Sequence, residues 1–454
     1  MFRIVPRSLF IKLGWTTFSY GTVQILRLIN NIILARLLAP PLFGLMLIVN
    51  SIRTGIELLS DVGINQNIIR HERGDTPIFY DTAWTLQALR GMILGAICFL
   101  SGGMAARYFG VPELAAILPV VSLFFLFTGF DSVARFLLQK KLSVARLSLF
   151  EIVIAFLSLL IHIALALITP TIWALILGSV FAGAITLVGS FMLMPGLRHR
   201  FIIDRPSLRE LLLFGRWIFV SSIIYFAAMN FDRLYLAKHI SLGQLGIFGI
   251  ARTLADTVSL FVTRCSTMIL FPLVAAMRGT APEIRSRLRH GRRTLLLATA
   301  IGLAGFTALG DRIVGLLYDA RYAEAGLILP VLAIGTWFAV MSSINDSILI
   351  GLGHPRLSAA GNAAKLLAYV ILVPIALTTR GLDAAIVALS VGEVARYLTL
   401  WASSRGEGLG FARDDLPLTL IFFGCTVAFR MILHALALTS GLDGLFPFAF
   451  AFLR

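Results

Sequence analysis

Apolar runs of about 20 residues, each closed by a short polar or Gly/Pro-containing break, recur along the whole chain. A helix needs roughly that length to cross a ~30 Å hydrocarbon core. Runs long enough fall near 11–38, 42–69, 82–105, 114–136, 147–168, 172–194, 211–237, 244–272, 294–317, 326–350, 357–378, 383–403 and 417–438. A further run begins at Gly441 and reaches only Arg454, so it is expected to be a half-span or a span cut short. In lipid every backbone group must be satisfied within its own segment, which selects helices. The pattern therefore predicts an all-α, polytopic membrane protein with 13–14 spans.

Polar positions break this pattern in two places. The segment from Gln24 to Asp61 carries Arg27, Asn30, Asn31, Arg53, Glu57 and Asp61 within otherwise apolar helices. An intramembrane charge costs about 2.5–3.5 kcal/mol on insertion scales, so such residues face a bundle interior, a partner charge or a watery cavity. Asn50, Arg53, Thr54, Glu57 and Asp61 recur at spacings of three and four, which puts them on one helical face. The same arrangement returns 202 positions later: Leu34-Ala35-Arg36 matches Leu236-Ala237-Lys238, Gly44 matches Gly246, and Ile48 matches Ile250. In that second copy Arg252 and Asp256 replace Asn50 and Thr54. Two polar hairpins are thus expected to face one cavity.

The repeat extends further. Glu113 and Ile117-Leu118-Pro119-Val120 match Glu324 and Ile328-Leu329-Pro330-Val331, and Ala145-Arg146-Leu147-Ser148 echoes Pro355-Arg356-Leu357-Ser358. Each repeat holds six spans, and an even number returns the chain to the side on which it started. The repeats are therefore parallel, as in transporters whose halves are related by an axis along the membrane normal. The expected division is an N-terminal lobe over 1–200, a second lobe over 201–405, and accessory C-terminal helices over 406–454.

Composition agrees, with 58% hydrophobic and 14% charged residues and a mean hydropathy of +0.90, against about 45–50% and 25% in soluble domains. The net charge of +16 does not point to nucleic acid, because no soluble basic face with base-reading elements is visible. It follows topology instead. Arg3, Arg7 and Lys12, then Arg70 and Arg73, Lys140, Lys141 and Arg146, Arg198 to Arg209, and Arg278 to Arg293 alternate with uncharged turns at Pro40, Pro170 and Ile240 to Gln244. The positive-inside rule makes the N-terminus cytoplasmic. No small-residue cleavage site follows the first run, which is expected to stay as a span. The basic stretch from Met277 to Arg293 anchors topology, with acidic lipid as the other partner it suits. Cys98, Cys265 and Cys425 lie in apolar runs and suggest neither a disulfide framework nor a metal site.

The stretch Asn30-Asn31-Ile32-Ile33-Leu34-Ala35-Arg36-Leu37-Leu38-Ala39-Pro40 with Phe43-Gly44, and its echo Asn230-Phe231-Asp232-Arg233-Leu234-Tyr235-Leu236-Ala237-Lys238, resembles bacterial Wzx-type oligosaccharide flippases. These belong to the multidrug/oligosaccharidyl-lipid/polysaccharide exporter superfamily, and the resemblance covers essentially the whole chain. It implies two six-helix lobes with two further helices, in the bacterial inner membrane. It also implies that the protein moves undecaprenyl-diphosphate-linked oligosaccharide repeat units across that membrane for surface polysaccharide assembly, with a polysaccharide polymerase as a candidate partner. The incomplete last run departs from the fourteen-helix pattern.

Chemistry selects the candidate site residues. Guanidinium matches phosphate oxygens as a bidentate donor, which makes Arg53, Arg252, Arg27 and Arg90 candidates for the diphosphate. Asn30, Asn31, Asn50 and Asn230, with Gln24 and Thr253, suit sugar hydroxyls. The competing role is internal pairing, of Arg53 with Glu57 and of Arg252 with Asp256, each one turn apart. Glu57, Asp232, Asp256 and Glu393 are intramembrane carboxylates of the kind that couple transport to H⁺ or Na⁺. Glu393 has Arg396 on the next turn, so a static pair is expected there. Asp131, Arg135, Asp346 and Lys365 fall near span ends, where snorkelling or lobe contact is expected. No cofactor is expected.

Two other functions compete. A drug antiporter of the same superfamily would favour carboxylates and aromatics over arginine, because its cargo is cationic. A membrane glycosyltransferase or polymerase would need acid, base or metal-binding residues in a sizeable outer loop. The longest such loops, Arg107 to Glu113 and Tyr318 to Ala325, are short connectors.

Overall fold

The computed structural model describes residues 7–58, 63–141, 143–266 and 279–436, with positions 270, 274 and 277 between the last two stretches. Asp61 and the short run from Gly441 lie outside the described residues. Long helices are α1 (Arg7–Leu37), α2 (Pro40–Leu58), α4 (Pro77–Phe109), α5 (Leu114–Phe130), α7 (Val144–Ile168), α8 (Ile172–Met192), α9 (Arg205–His239) and α10 (Leu242–Cys265). After these come α11 (Ala281–Ala308), α13 (Ala325–Gly351), α14 (Pro355–Gly406) and α15 (Ala412–Ala435), with short helices α3 (Ile64–Arg70), α6 (Ala134–Lys140) and α12 (Gly310–Leu317) at bends. Over the described residues, each run predicted to span falls on one of these helices or on a pair of them. Among the described residues, 8 helices are long and apolar enough to cross a membrane, or 10 when each of two bent pairs counts as one span.

The helices cluster into two compact units, Met1–Phe226 with Arg233–Leu242, and Ala227–Asp232 with Gly243–Arg454. In the first unit α4 and α5 approach until a Cβ on Gly91 would lie 2.5 Å from the Gly129 Cα. Only glycine at both positions permits that contact. α5 then bends by 48° into α6, and the helix break strands its last carbonyls. The Gln87 side chain on α4 takes them up, its Nε2 donating to the carbonyls of Thr128 at 3.1 Å, Gly129 at 3.2 Å and Asp131 at 3.0 Å. On the same helix Asp81, Thr82 and Thr85 form a polar ladder that accepts the backbone N–H groups of Arg200, Asp204 and Ile202. That ladder straps the 199–204 segment to the helix.

In the second unit α13 is the core helix, with 78% of its most apolar stretch buried, against 17% for α7 in the first unit. Most of that stretch of α7 is exposed or half-buried. A straight 52-residue helix would be about 78 Å long at 1.5 Å per residue, more than twice the hydrocarbon core. α14 instead breaks at Gly381 (φ 79°, ψ −165°), a conformation open to glycine and little else. The result is two antiparallel halves. α15 is fastened at both ends. Arg292 pairs with Asp415 and Arg289 grips both oxygens of Asp414. At the other end Arg430 reaches Asp311 at 2.8 Å, and between them Phe422 stacks on Trp337 at 5.3 Å.

Matched positions of the sequence repeat fall at the same places on their helices. Glu113 occupies the N-cap position of α5 and Glu324 that of α13, each followed by a proline inside the helix, Pro119 and Pro330.

Candidate functional site

Two polar centres stand out, one within each unit. In the second unit, α9, α10 and the two halves of α14 bring five ionisable side chains and a tyrosine together. Arg252 Nε lies 3.1 Å from Asp256 Oδ1, one turn along α10, and its Nη2 lies 3.9 Å from Asp232 Oδ2 on α9. Across the Gly381 break, Lys365 Nζ donates to Glu393 Oε1 at 2.5 Å, and the Tyr369 hydroxyl donates to the same oxygen at 3.4 Å. Asp232 is fully buried, yet neither of its carboxylate oxygens accepts a hydrogen bond. The cluster therefore sets three carboxylates against two cations. Asn230, two residues before Asp232, is buried on α9 as well.

Two sequence expectations need correction here. Glu393 does not pair with Arg396, because Arg396 turns to Asp346 on α13 and Lys365 from the other half of α14 takes the glutamate. Lys365 does not snorkel to a span end; it is 1% exposed and bound inside the bundle. Both errors arise because sequence shows neighbours one turn away but not which helix folds back alongside. An Arg252–Asp256 pair is expected from the spacing and is present, but Asp232 shares the arginine.

In the first unit, Arg53 on α2 places its guanidinium over the Phe124 ring, 4.5 Å from the centroid. A ring face attracts a cation without cancelling its charge. Arg90 on α4 donates to the Glu57 carbonyl at 2.6 Å, closing the end of α2 onto α4. Glu57 and Arg90 then line a cavity of about 320 Å³ together with α3 and the α5–α6 break. Asp131 and Arg135 flank that break at 3.5 Å, so they belong to the cavity wall. Asn50 is half-buried on the turn of α2 before Arg53. On α1, Arg27 is exposed and reaches Gln24 at 3.4 Å, while the Asn30 side-chain oxygen is buried without a hydrogen-bond partner. Asn31 is half-buried on the adjacent face. Sequence reasoning misses Phe124 and Tyr369, since an aromatic residue in an apolar run carries no signal of what it covers.

A family model described as polysaccharide biosynthesis protein matches residues 33–327, a span that contains the second polar hairpin and the part of the first that follows Ile32. The chain belongs to that family. Among its relatives, the lipopolysaccharide biosynthesis protein WzxC of Escherichia coli (strain K12) is 23% identical over 339 residues, covering 74% of this chain and 67% of that protein. The succinoglycan biosynthesis transport protein ExoT of Rhizobium meliloti (strain 1021) is 20% identical over 343 residues, covering 76% and 69%. Among solved structures, the lipid II flippase MurJ in an inward closed conformation superimposes with a TM-score of 0.75 at 13% identity, covering 96% of this chain and 95% of that one. At that identity the likeness establishes a shared fold. This family member is thus a multi-pass membrane protein that shares its fold with MurJ.

Proposed function

We propose that this protein moves undecaprenyl-diphosphate-linked oligosaccharide repeat units across the bacterial cytoplasmic membrane for surface polysaccharide assembly, with its N-terminus in the cytoplasm. The carrying observation is membership of the polysaccharide biosynthesis family by a chain whose second and tenth helices each hold an intramembrane arginine. Arg53 is the stronger headgroup ligand of the two. Its contact is a ring face that leaves the charge available to phosphate, whereas Arg252 already answers Asp232 and Asp256. In this reading the second-unit cluster serves coupling. Asp232, buried and without a hydrogen bond, is the group that takes up H⁺ or Na⁺, and the two repeats alternate access to the two sides. A polysaccharide polymerase receives the exported units. The competing export of small cationic molecules would use the same carboxylates, and family membership weighs against it.

The test is export in cells lacking the chromosomal gene. Arg53→Ala, and Arg53→Ala with Glu57→Ala, should abolish surface polymer at matched membrane abundance while lipid-linked repeat units accumulate on the inner leaflet. Near-normal polymer in the double variant would remove Arg53 from the headgroup role.

A further inference from the structure

We propose that the first unit carries, within its own helices, a pocket for a single sugar residue of the transported glycan. This deepens the transport reading and rests on it. The pocket is the cavity of about 320 Å³ at the α5–α6 break, at the lower end of the 300–1,000 Å³ range of small-molecule sites. It suits one ring rather than a whole repeat unit.

Charge decides the ligand class. The lining presents two carboxylates, Glu57 and Asp131, and two guanidinium groups, Arg90 and Arg135. A diphosphate would meet as much repulsion as attraction there. A neutral polyol meets none, because its hydroxyls donate to carboxylate oxygens and accept from guanidinium N–H groups. Asn65 and Gln66 on α3 add amides with both capacities. Two acceptors are also unmet: Asp131 Oδ1 and Asn65 Oδ1 are buried without hydrogen-bond partners. Buried polar atoms are ordinarily paired, and sugar hydroxyls would supply the missing donors. The wall behind them is fixed, because the Gln87 amide is committed to the last carbonyls of α5. Glu57 and Gln66 in the lining are exposed. With the N-terminus in the cytoplasm this end of the unit faces the side on which repeat units are made.

The alternative occupant is water, about ten molecules at ~30 Å³ each. The experiment uses the full-length protein in lipid nanodiscs and saturation-transfer NMR with a panel of methyl glycosides: hexoses, 6-deoxyhexoses, N-acetylhexosamines and hexuronates. Transfer to at least one glycoside is expected. It should fall severalfold in Asp131→Asn, which keeps the shape, and vanish in Asn65→Trp, which fills the cavity; excess inorganic pyrophosphate should leave it unchanged. Absence of transfer to every glycoside, transfer that survives both variants, or displacement by pyrophosphate would each overturn the proposal. Failure of the transport reading looks different: surface polymer would persist in cells lacking the protein, whatever the glycosides do.

Discussion

Lys365 and Glu393 meet at 2.5 Å across the two halves of α14, with 2% and 6% of their side chains exposed. A buried pair of this kind is expensive to break and much cheaper to replace whole: removing one partner costs about 3–5 kcal/mol, because the other charge is stranded. Lys365→Met alone and Glu393→Gln alone should therefore lower the thermal midpoint of the purified protein sharply, and the double variant should recover most of the loss. If the double variant is as unstable as the worse single one, the pair is not what holds the halves of α14 together.

Arg252 answers two carboxylates, and this changes how its loss should be rescued. Arg252→Ala takes the arginine from Asp256 and Asp232 together. Adding Asp256→Ala should restore protein abundance only in part, and adding Asp232→Asn as well should complete it. Full recovery on removing Asp256 alone would show that the 3.9 Å contact with Asp232 carries no weight.

α15 should prove integral to the second unit. Arg292 is buried and also donates to Asn345 on α13 at 3.1 Å, while the Tyr397 hydroxyl donates to its partner Asp415 at 2.8 Å. Asp415→Leu should cost about 3–5 kcal/mol, the scale of a broken buried pair, and leave little folded protein in membranes. Exposed Arg413→Ala should leave abundance unchanged. Equal abundance of the two variants by quantitative immunoblot would contradict the anchoring role.

Acid should fray the start of α9. Asp204 accepts from the Ser207 hydroxyl at 2.6 Å and the Ser207 backbone N–H at 3.0 Å, and these hydrogen bonds hold its carboxyl below the usual carboxylate range. A depressed folded pKa means the cap contributes above the unfolded value of about 3.9 and is lost as pH falls through the lower folded value. Amide exchange at residues 205–208 should accelerate below about pH 4. Asp204→Asn keeps the cap and should remove that pH dependence.

Topology can be read with cysteines. Cysteine at the exposed Pro170 should react with an impermeant thiol reagent from outside once the outer membrane is opened, and cysteine at the exposed Ser286 should react only after lysis. The reverse pattern would invert the proposed orientation.

Sequence by itself settled the fold class and displayed the internal repeat, because both rest on local properties. Span length is a count of apolar residues against a fixed bilayer, and the matched Glu113-to-Pro119 and Glu324-to-Pro330 stretches take the same positions at the starts of α5 and α13. The Arg252–Asp256 pair was legible for the same reason, since i,i+4 neighbours share a helix face. What sequence did not decide is which charge answers which across helices. Glu393 and Arg396 are one turn apart and yet serve different partners, Lys365 and Asp346, because Gly381 folds α14 back on itself and α13 passes on the other side. Asp131 and Arg135 read as residues at a span end, and only the 48° bend between α5 and α6 makes them the wall of a cavity with Glu57 and Arg90. Periodicity reports the face a residue lies on; the partner on that face is chosen by packing between segments far apart in the chain.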